Sequence, residues 1–222
     1  MSVPIATASF AWLVSALAFA VAMAGTPGPN NAMLASSGSL WGFRRTVPHM
    51  LGVAIGFPIM LLVVAAGAGG LLLHHPAVMT VMRWIGVAYL LYLAWRIAAA
   101  QPRPGAAEAP ATEGAPAERP TKGRPLSFVQ AALFQWINPK AWLVALSAAA
   151  TLTSVARHPS LGRALLLAGV FLAVTLPITA FWTSVGLGVA RVFTTRRALR
   201  RFNLVMAALL VASVVSILAG LG

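Results

Sequence analysis

The sequence predicts an all-α integral membrane protein. Six transmembrane helices form two inverted three-helix repeats, with the first and fourth helices broken. Three observations predict this. Long apolar segments carry no Asp or Glu, basic residues cluster between alternate segments, and each half opens on a segment interrupted by Pro and Asn. The chain is 222 residues, 59% hydrophobic and 9% charged. A soluble domain carries about 25% charged residues, so the apolar surplus needs a lipid solvent.

Six segments are long enough to cross a hydrocarbon core of about 30 Å. They are Ala8–Gly25, Pro48–Leu73, Val78–Ala99, Leu126–Leu152, Leu161–Val189 and Phe202–Leu221. The first also admits a signal-peptide reading, since Ala22-Met23-Ala24 has the A-x-A form. Against it, no Lys or Arg precedes the apolar run, and cleavage would fall just ahead of the Pro-Gly cluster.

Charge sets the orientation. Arg44, Arg45, Arg96, Arg103, Arg119, Lys122, Arg124, Arg191, Arg196, Arg197, Arg200 and Arg201 fall on one side; Arg83, Arg157 and Arg163 fall on the other. By the positive-inside rule the rich side is cytoplasmic, and both termini face outward. The net charge of +13 therefore reads as topology, not as a nucleic-acid surface. Residues 101–125 are rich in Pro, Ala and Gly, hold all three glutamates, and read as a disordered cytoplasmic linker. It joins the first repeat, 1–100, to the second, 126–222.

With three spans per half, the halves enter the membrane from opposite sides, as inverted repeats do. "GPNNAML" (Gly28–Leu34) lies against "INPKAWL" (Ile137–Leu143), and Pro58 and Pro177 occupy matching second spans. Proline removes an N–H and clashes with the preceding turn, which frees backbone groups. Such groups are tolerated at membrane depth only inside protein or beside a water-filled cavity. Paired breaks in corresponding helices point to a transporter binding site, with helix N-termini favouring a carboxylate. The candidate substrate-binding residues are Pro27, Gly28, Pro29, Asn30, Asn31, Asn138, Pro139 and Lys140. The competing reading makes the amides structural, satisfying freed backbone. Counted from the cytoplasmic end, Asn30 and Pro139 lie at similar depth, about 20 Å in.

His49 is the histidine within a predicted span and a candidate proton relay; the bland alternative is an interfacial histidine with ordinary hydrogen bonds. Trp136 and Trp142 bracket the second break as candidate pocket walls. Lys140 can hold a substrate carboxylate, line an exit path, or snorkel and cap freed carbonyls. Gly52 and Gly56 read as a close helix contact, within one subunit or between subunits of a homo-oligomer. Trp12, Trp41, Trp84, Trp95 and Trp182 read mostly as interfacial anchors.

"TPGPNNAMLASSGSLWGFRRTVPHMLGVAIGF" (Thr26–Phe57), "IGVAYLLYLAWRI" (Ile85–Ile97) and "FQWINPKAW" (Phe134–Trp142) resemble the lysine exporter (LysE) superfamily. The resemblance is nearest to its homoserine/threonine resistance (RhtB) branch and covers nearly the whole chain outside 101–125. It implies a bacterial inner-membrane exporter of amino acids or related metabolites, coupled to the electrochemical gradient. The Pro-Gly-Pro and Asn-Pro-Lys motifs carry over as Pro27, Pro29, Asn30, Asn138, Pro139 and Lys140. In the family the chain resembles, members handling basic amino acids often place a carboxylate near the start of the second helix. This chain has His49 in "VPHMLG", which favours a neutral or zwitterionic substrate.

Other classes are disfavoured by composition. With no cysteine, thiol–disulfide chemistry and thiolate metal sites are excluded. His74 and His75 lack a third ligand, so no metal or cofactor is expected. A cation permease wants membrane carboxylates, and no nucleotide-binding loop for ATP-driven pumping is present. A non-transporting scaffold is the remaining alternative, although it has no need of paired amide-bearing breaks. The expected partners are a small amino acid and the bilayer, with no nucleic acid.

Overall fold

The computed structural model describes residues 5–68, 75–100, 124–155, 161–193 and 195–219. Expectations that fall elsewhere lie outside the described residues: the 101–123 part of the linker, His74, Arg157, and the ends of the second and sixth predicted spans. The described residues form seven helices and one π-turn, with no strand among them. They are α1 (Ile5–Gly25), α2 (Pro29–Val63), the π-turn (Val64–Ala68), α3 (Pro76–Ala99), α4 (Phe128–Ile137), α5 (Pro139–Val155), α6 (Leu161–Val192) and α7 (Arg196–Leu218). Four stretches are long and apolar enough to cross a membrane: Pro29–Gly67, Thr80–Ala99, Leu161–Val192 and Arg196–Leu218. Shorter apolar helices cover Phe10–Gly25 and Phe128–Ile137.

Both expected breaks are present. α1 ends at Gly25, and α2 begins at Pro29 with proline in its first turn, where the missing N–H costs nothing. Between α4 and α5, Asn138 leaves the helical region at φ −88°, ψ 107°, and Pro139 opens the next helix. α4 itself starts on a capping box in which Ser127 and Gln130 exchange side-chain and backbone bonds.

The second predicted span differs in its boundary. α2 is not one straight rod of 35 residues, because Gly42 sits at φ 77°, ψ 173° inside it. Only glycine takes that conformation without strain. The chain reverses there. The hydroxyls of Ser37 and Thr46 lie 3.0 Å apart, whereas nine residues of straight helix would separate them by about 13 Å. α2 is thus a hairpin of two arms, 29–41 and 43–63, and the second span starts at the bend, five residues before Pro48.

α2 and α6 make the most extensive interface. α2 also packs on α4, α3 on α7, and α1 on α6. Glycines set the closest approaches. A Cβ at Gly186 would fall 1.8 Å from the Ala35 carbonyl oxygen, and one at Gly38 would fall 2.1 Å from that of Thr183. Gly52 and Gly56 lie against Phe128, Ala131 and Ala132 of α4, so this pair packs within the chain. Two apolar clusters flank the centre. One joins α1, the second arm of α2, α5 and α6 around Phe57, Met60 and Phe171. The other joins α2, α3, α4 and α7 around Leu90, Phe134 and Leu210. Large apolar side chains also point outward on every helix, among them Phe10, Trp95, Leu133, Phe181 and Val215. In water such a surface would aggregate; in lipid it is the ordinary exterior of a bundle.

Candidate functional site

The two breaks meet. A central cavity of about 60 Å³ is lined by Gly28, Pro29, Asn30 and Asn31 from the first break and by Gln135, Asn138 and Lys140 around the second. Val53 and Phe57 from the second arm of α2, and Phe171, Thr175 and Thr179 from α6, complete much of the wall. Asn30 and Val53 share this wall only because α2 folds back at Gly42.

The amides divide by role. Asn31 donates its Nδ2 to the carbonyls of Ala24 (2.8 Å) and Thr26 (2.9 Å), which α1 leaves free where it stops. Thr26 turns its hydroxyl onto the Ala22 carbonyl. The Asn138 Oδ1 accepts from the Lys140 backbone N–H at 3.2 Å, an N-cap for α5. For these two, the structural reading accounts for the bonds. Asn30 is different. Its Nδ2 donates to Gln135 Oε1 at 3.0 Å, and Gln135 Nε2 donates back to Asn30 Oδ1 at 3.3 Å. Gln135 is fully buried and also donates to the Ala131 carbonyl at 2.9 Å. The pair joins the two halves at the cavity wall and leaves lone pairs and one Asn30 proton for a third partner.

Lys140 projects from the first turn of α5 and donates its Nζ to the Thr26 carbonyl at 3.0 Å. The ammonium therefore straps one break to the other. Gly28 makes room for it: a Cβ there would lie 3.1 Å from Nζ. On the far side of this strap lies a second, larger cavity of about 790 Å³. Pro27, Pro139, Trp136 and Trp142 line that cavity and not the central one. Gly28, Pro29, Asn138 and Lys140 line both, so the two motifs form the wall between them. The Trp142 indole N–H donates to the Trp136 carbonyl at 2.7 Å, and the two rings meet edge to face at 6.1 Å. This fixes the wall of the larger cavity at the second break.

His49 is elsewhere. It is 1% exposed, lines neither cavity, and neither ring nitrogen has a hydrogen-bond partner. The alternative of ordinary hydrogen bonds is therefore corrected: the Gly42 hairpin folds the first arm of α2 back along the second and buries His49 between helices. It lies between Thr46, bonded to Ser37 near the bend, and Val53 at the cavity. Trp182 is likewise within α6 rather than at a helix end.

Sequence reasoning missed Gln135 and the threonines of α6. Gln135 stands three residues before Asn138 in a quoted motif, but nothing local marks it as a partner of Asn30. Thr175, Thr179 and Thr183 are spaced four apart in an apolar helix and are all buried. That helical register of hydroxyls was the legible signal.

No solved structure matches the chain. Curated relatives include cysteine/O-acetylserine efflux proteins of Salmonella paratyphi A and Salmonella typhi, each 32% identical over 126 residues. One from Escherichia coli is 31% identical over the same length. In each case the match covers 57% of this chain and 57% of the relative. The family model for LysE type translocators matches residues 5–220. With the family matched from α1 to the end of α7, the chain belongs to the LysE type translocators, which are transporters and not enzymes.

Proposed function

We propose that the chain exports a small neutral or zwitterionic amino acid across the bacterial inner membrane, by secondary-active alternating access. The observation that carries this reading is the meeting of both breaks in one cavity. Its polar wall is Asn30, Asn31, Gln135, Asn138, Lys140, Thr175 and Thr179, with no carboxylate among them. Such a wall offers a cation and amide donors to a substrate carboxylate, and amide and hydroxyl oxygens to its ammonium. It offers a second positive charge nothing. The efflux activity named for the curated relatives supports the same direction and substrate class, with cysteine and O-acetylserine the first amino acids to test.

The fold in the membrane follows from the same reading. Six spans place the Arg44–Arg45 bend and the start of α7 in the cytoplasm and both termini outside. The packing supports inverted repeats: exchanging α1 with α4 and the second arm of α2 with α6 maps α2–α4 contacts onto α6–α1 contacts. It maps α3–α7 onto itself. Rocking one half against the other would expose the cavity to each side in turn. His49, on the cytoplasmic side of the cavity, is the proposed proton carrier.

The test is efflux from cells preloaded with a panel of labelled amino acids, including cysteine and O-acetylserine. The wild-type chain should accelerate loss of at least one, and an Asn30→Ala, Asn138→Ala double variant should not. Membrane-inserted wild-type protein that accelerates none of them would sink the export reading.

A further inference from the structure

The larger cavity holds two cations and, among the described residues that line it, no carboxylate. Two cationic side chains line it, Lys140 and Arg83. Among the described residues each is held by backbone carbonyls. Lys140 bonds the Thr26 carbonyl, and Arg83 donates one terminal nitrogen to the carbonyls of Ile217 (2.6 Å) and Leu218 (3.0 Å). No Asp or Glu is among the described residues that line the cavity.

The two cations are ordered along the cavity. Lys140 stands on its floor, in the wall shared with the central cavity. Gly86 of α3 packs against the second break, where a Cβ would meet the Ile137 carbonyl oxygen at 2.1 Å. Arg83 follows three residues toward the N-terminus of α3, about 4.5 Å further from the break. Its guanidinium then reaches the last turn of α7. A carboxylate leaving the central cavity would meet a cation at the floor and a second nearer the exit.

We propose that this cavity is an outer anion-binding vestibule, in which Arg83 takes the substrate carboxylate from Lys140 on its way out. This rests on the export reading and adds to it a second subsite and its ligand class, an amino-acid carboxylate. An anionic lipid headgroup shares the chemistry, and the test separates the two.

The absence of cysteine makes the test direct. Ser213, which lines the cavity, is replaced by Cys as the single thiol of the full chain in nanodiscs. Its rates with an anionic and a cationic methanethiosulfonate reagent are compared. In phosphatidylcholine, the anionic preference should fall about tenfold in Arg83→Gln, as expected for losing one nearby charge in a partly desolvated cavity, and return in Arg83→Lys. Gln keeps a donor for the α7 carbonyls, and the Lys variant guards against misfolding. O-Acetyl-L-serine should slow the anionic reagent, and its methyl ester should not.

A preference unaffected by Arg83→Gln overturns the proposal, as does equal slowing by acid and ester. Protection that needs phosphatidylglycerol instead of the amino acid makes the cavity a lipid site and also overturns it. The thiol reaction requires no transport. Failure of the export reading would therefore show as absent efflux with the anionic preference and acid protection intact.

Discussion

Asn30 and Gln135, 105 positions apart, exchange two hydrogen bonds of 3.0 and 3.3 Å across the junction of the two halves. A reciprocal amide pair is satisfied only when both members are present. Removing Asn30 leaves the Oε1 of the buried Gln135 without its donor, at a cost of about 1–3 kcal/mol, and removing Gln135 costs the half-buried Asn30 less. Asn30→Ala and Gln135→Ala should each lower melting temperature in detergent and slow efflux. The double variant should lose much less than the sum, with a coupling of about 0.5–3 kcal/mol. Additive effects in that cycle would show that the pair does not act as a unit.

The α2–α6 contact should be the least tolerant of added volume. Gly38→Ala and Gly186→Ala drive a methyl into a backbone carbonyl, so each should destabilise by about 1–3 kcal/mol or more. Gly169→Ala, also in a helix but with nothing within 4 Å of its Cβ, should be neutral or stabilising by up to about 1 kcal/mol. Thermal melts of the three variants decide this, and an ordering with Gly169→Ala worst would contradict the packing.

Gly42 makes the hairpin. Gly42→Ala should cost about 1–2 kcal/mol because its φ of 77° places Cβ against the neighbouring carbonyl. Gly42→Asn should cost as much, since a ψ of 173° lies outside the left-handed helical region that asparagine tolerates. Equal melting temperatures for wild type and Gly42→Ala would mean that the bend forms without a positive φ.

Topology is testable with single thiols, again because the chain has none of its own. In intact cells a membrane-impermeant maleimide should label Thr80→Cys, near the start of α3, from outside. Arg200→Cys, in the first turns of α7, should label only after the inner membrane is opened. The reverse pattern would invert the orientation and place the larger cavity on the cytoplasmic side.

His49 has no hydrogen bond to lose. An apolar replacement of comparable size removes two unsatisfied buried nitrogens. His49→Leu should therefore fold with equal or greater stability. As the proposed proton carrier, it should also abolish the acceleration of efflux that a pH gradient produces in proteoliposomes. Full retention of that acceleration in a well-folded variant would remove His49 from the coupling mechanism.

The sequence by itself determined the solvent, the breaks and the charge map. A bilayer demands long uncharged helices, and Pro-Gly-Pro or Asn-Pro clusters beside amides stand out in them, so the interruptions at Pro27–Pro29 and Asn138–Pro139 are legible one residue at a time. Their meeting was suggested by the paired motifs of the two halves and by counting residues from Arg44 and Pro125 to a similar depth. Tertiary structure decided what each amide does. Asn31 and Asn138 close their own backbone, which is a local matter. Asn30 finds Gln135 across a hundred residues, and no local pattern encodes a partner at that distance. A reversal at Arg44–Arg45 was expected as the first cytoplasmic connection; the structure put the bend at Gly42, and the fold-back closed by the Ser37–Thr46 contact buried His49. Arg83 shows the same division. Its charge was read as topology, because charge counts are one-dimensional. Its place beside Lys140 in one cavity follows from Gly86 letting α3 approach the second break, a packing relation that exists only once the helices are assembled.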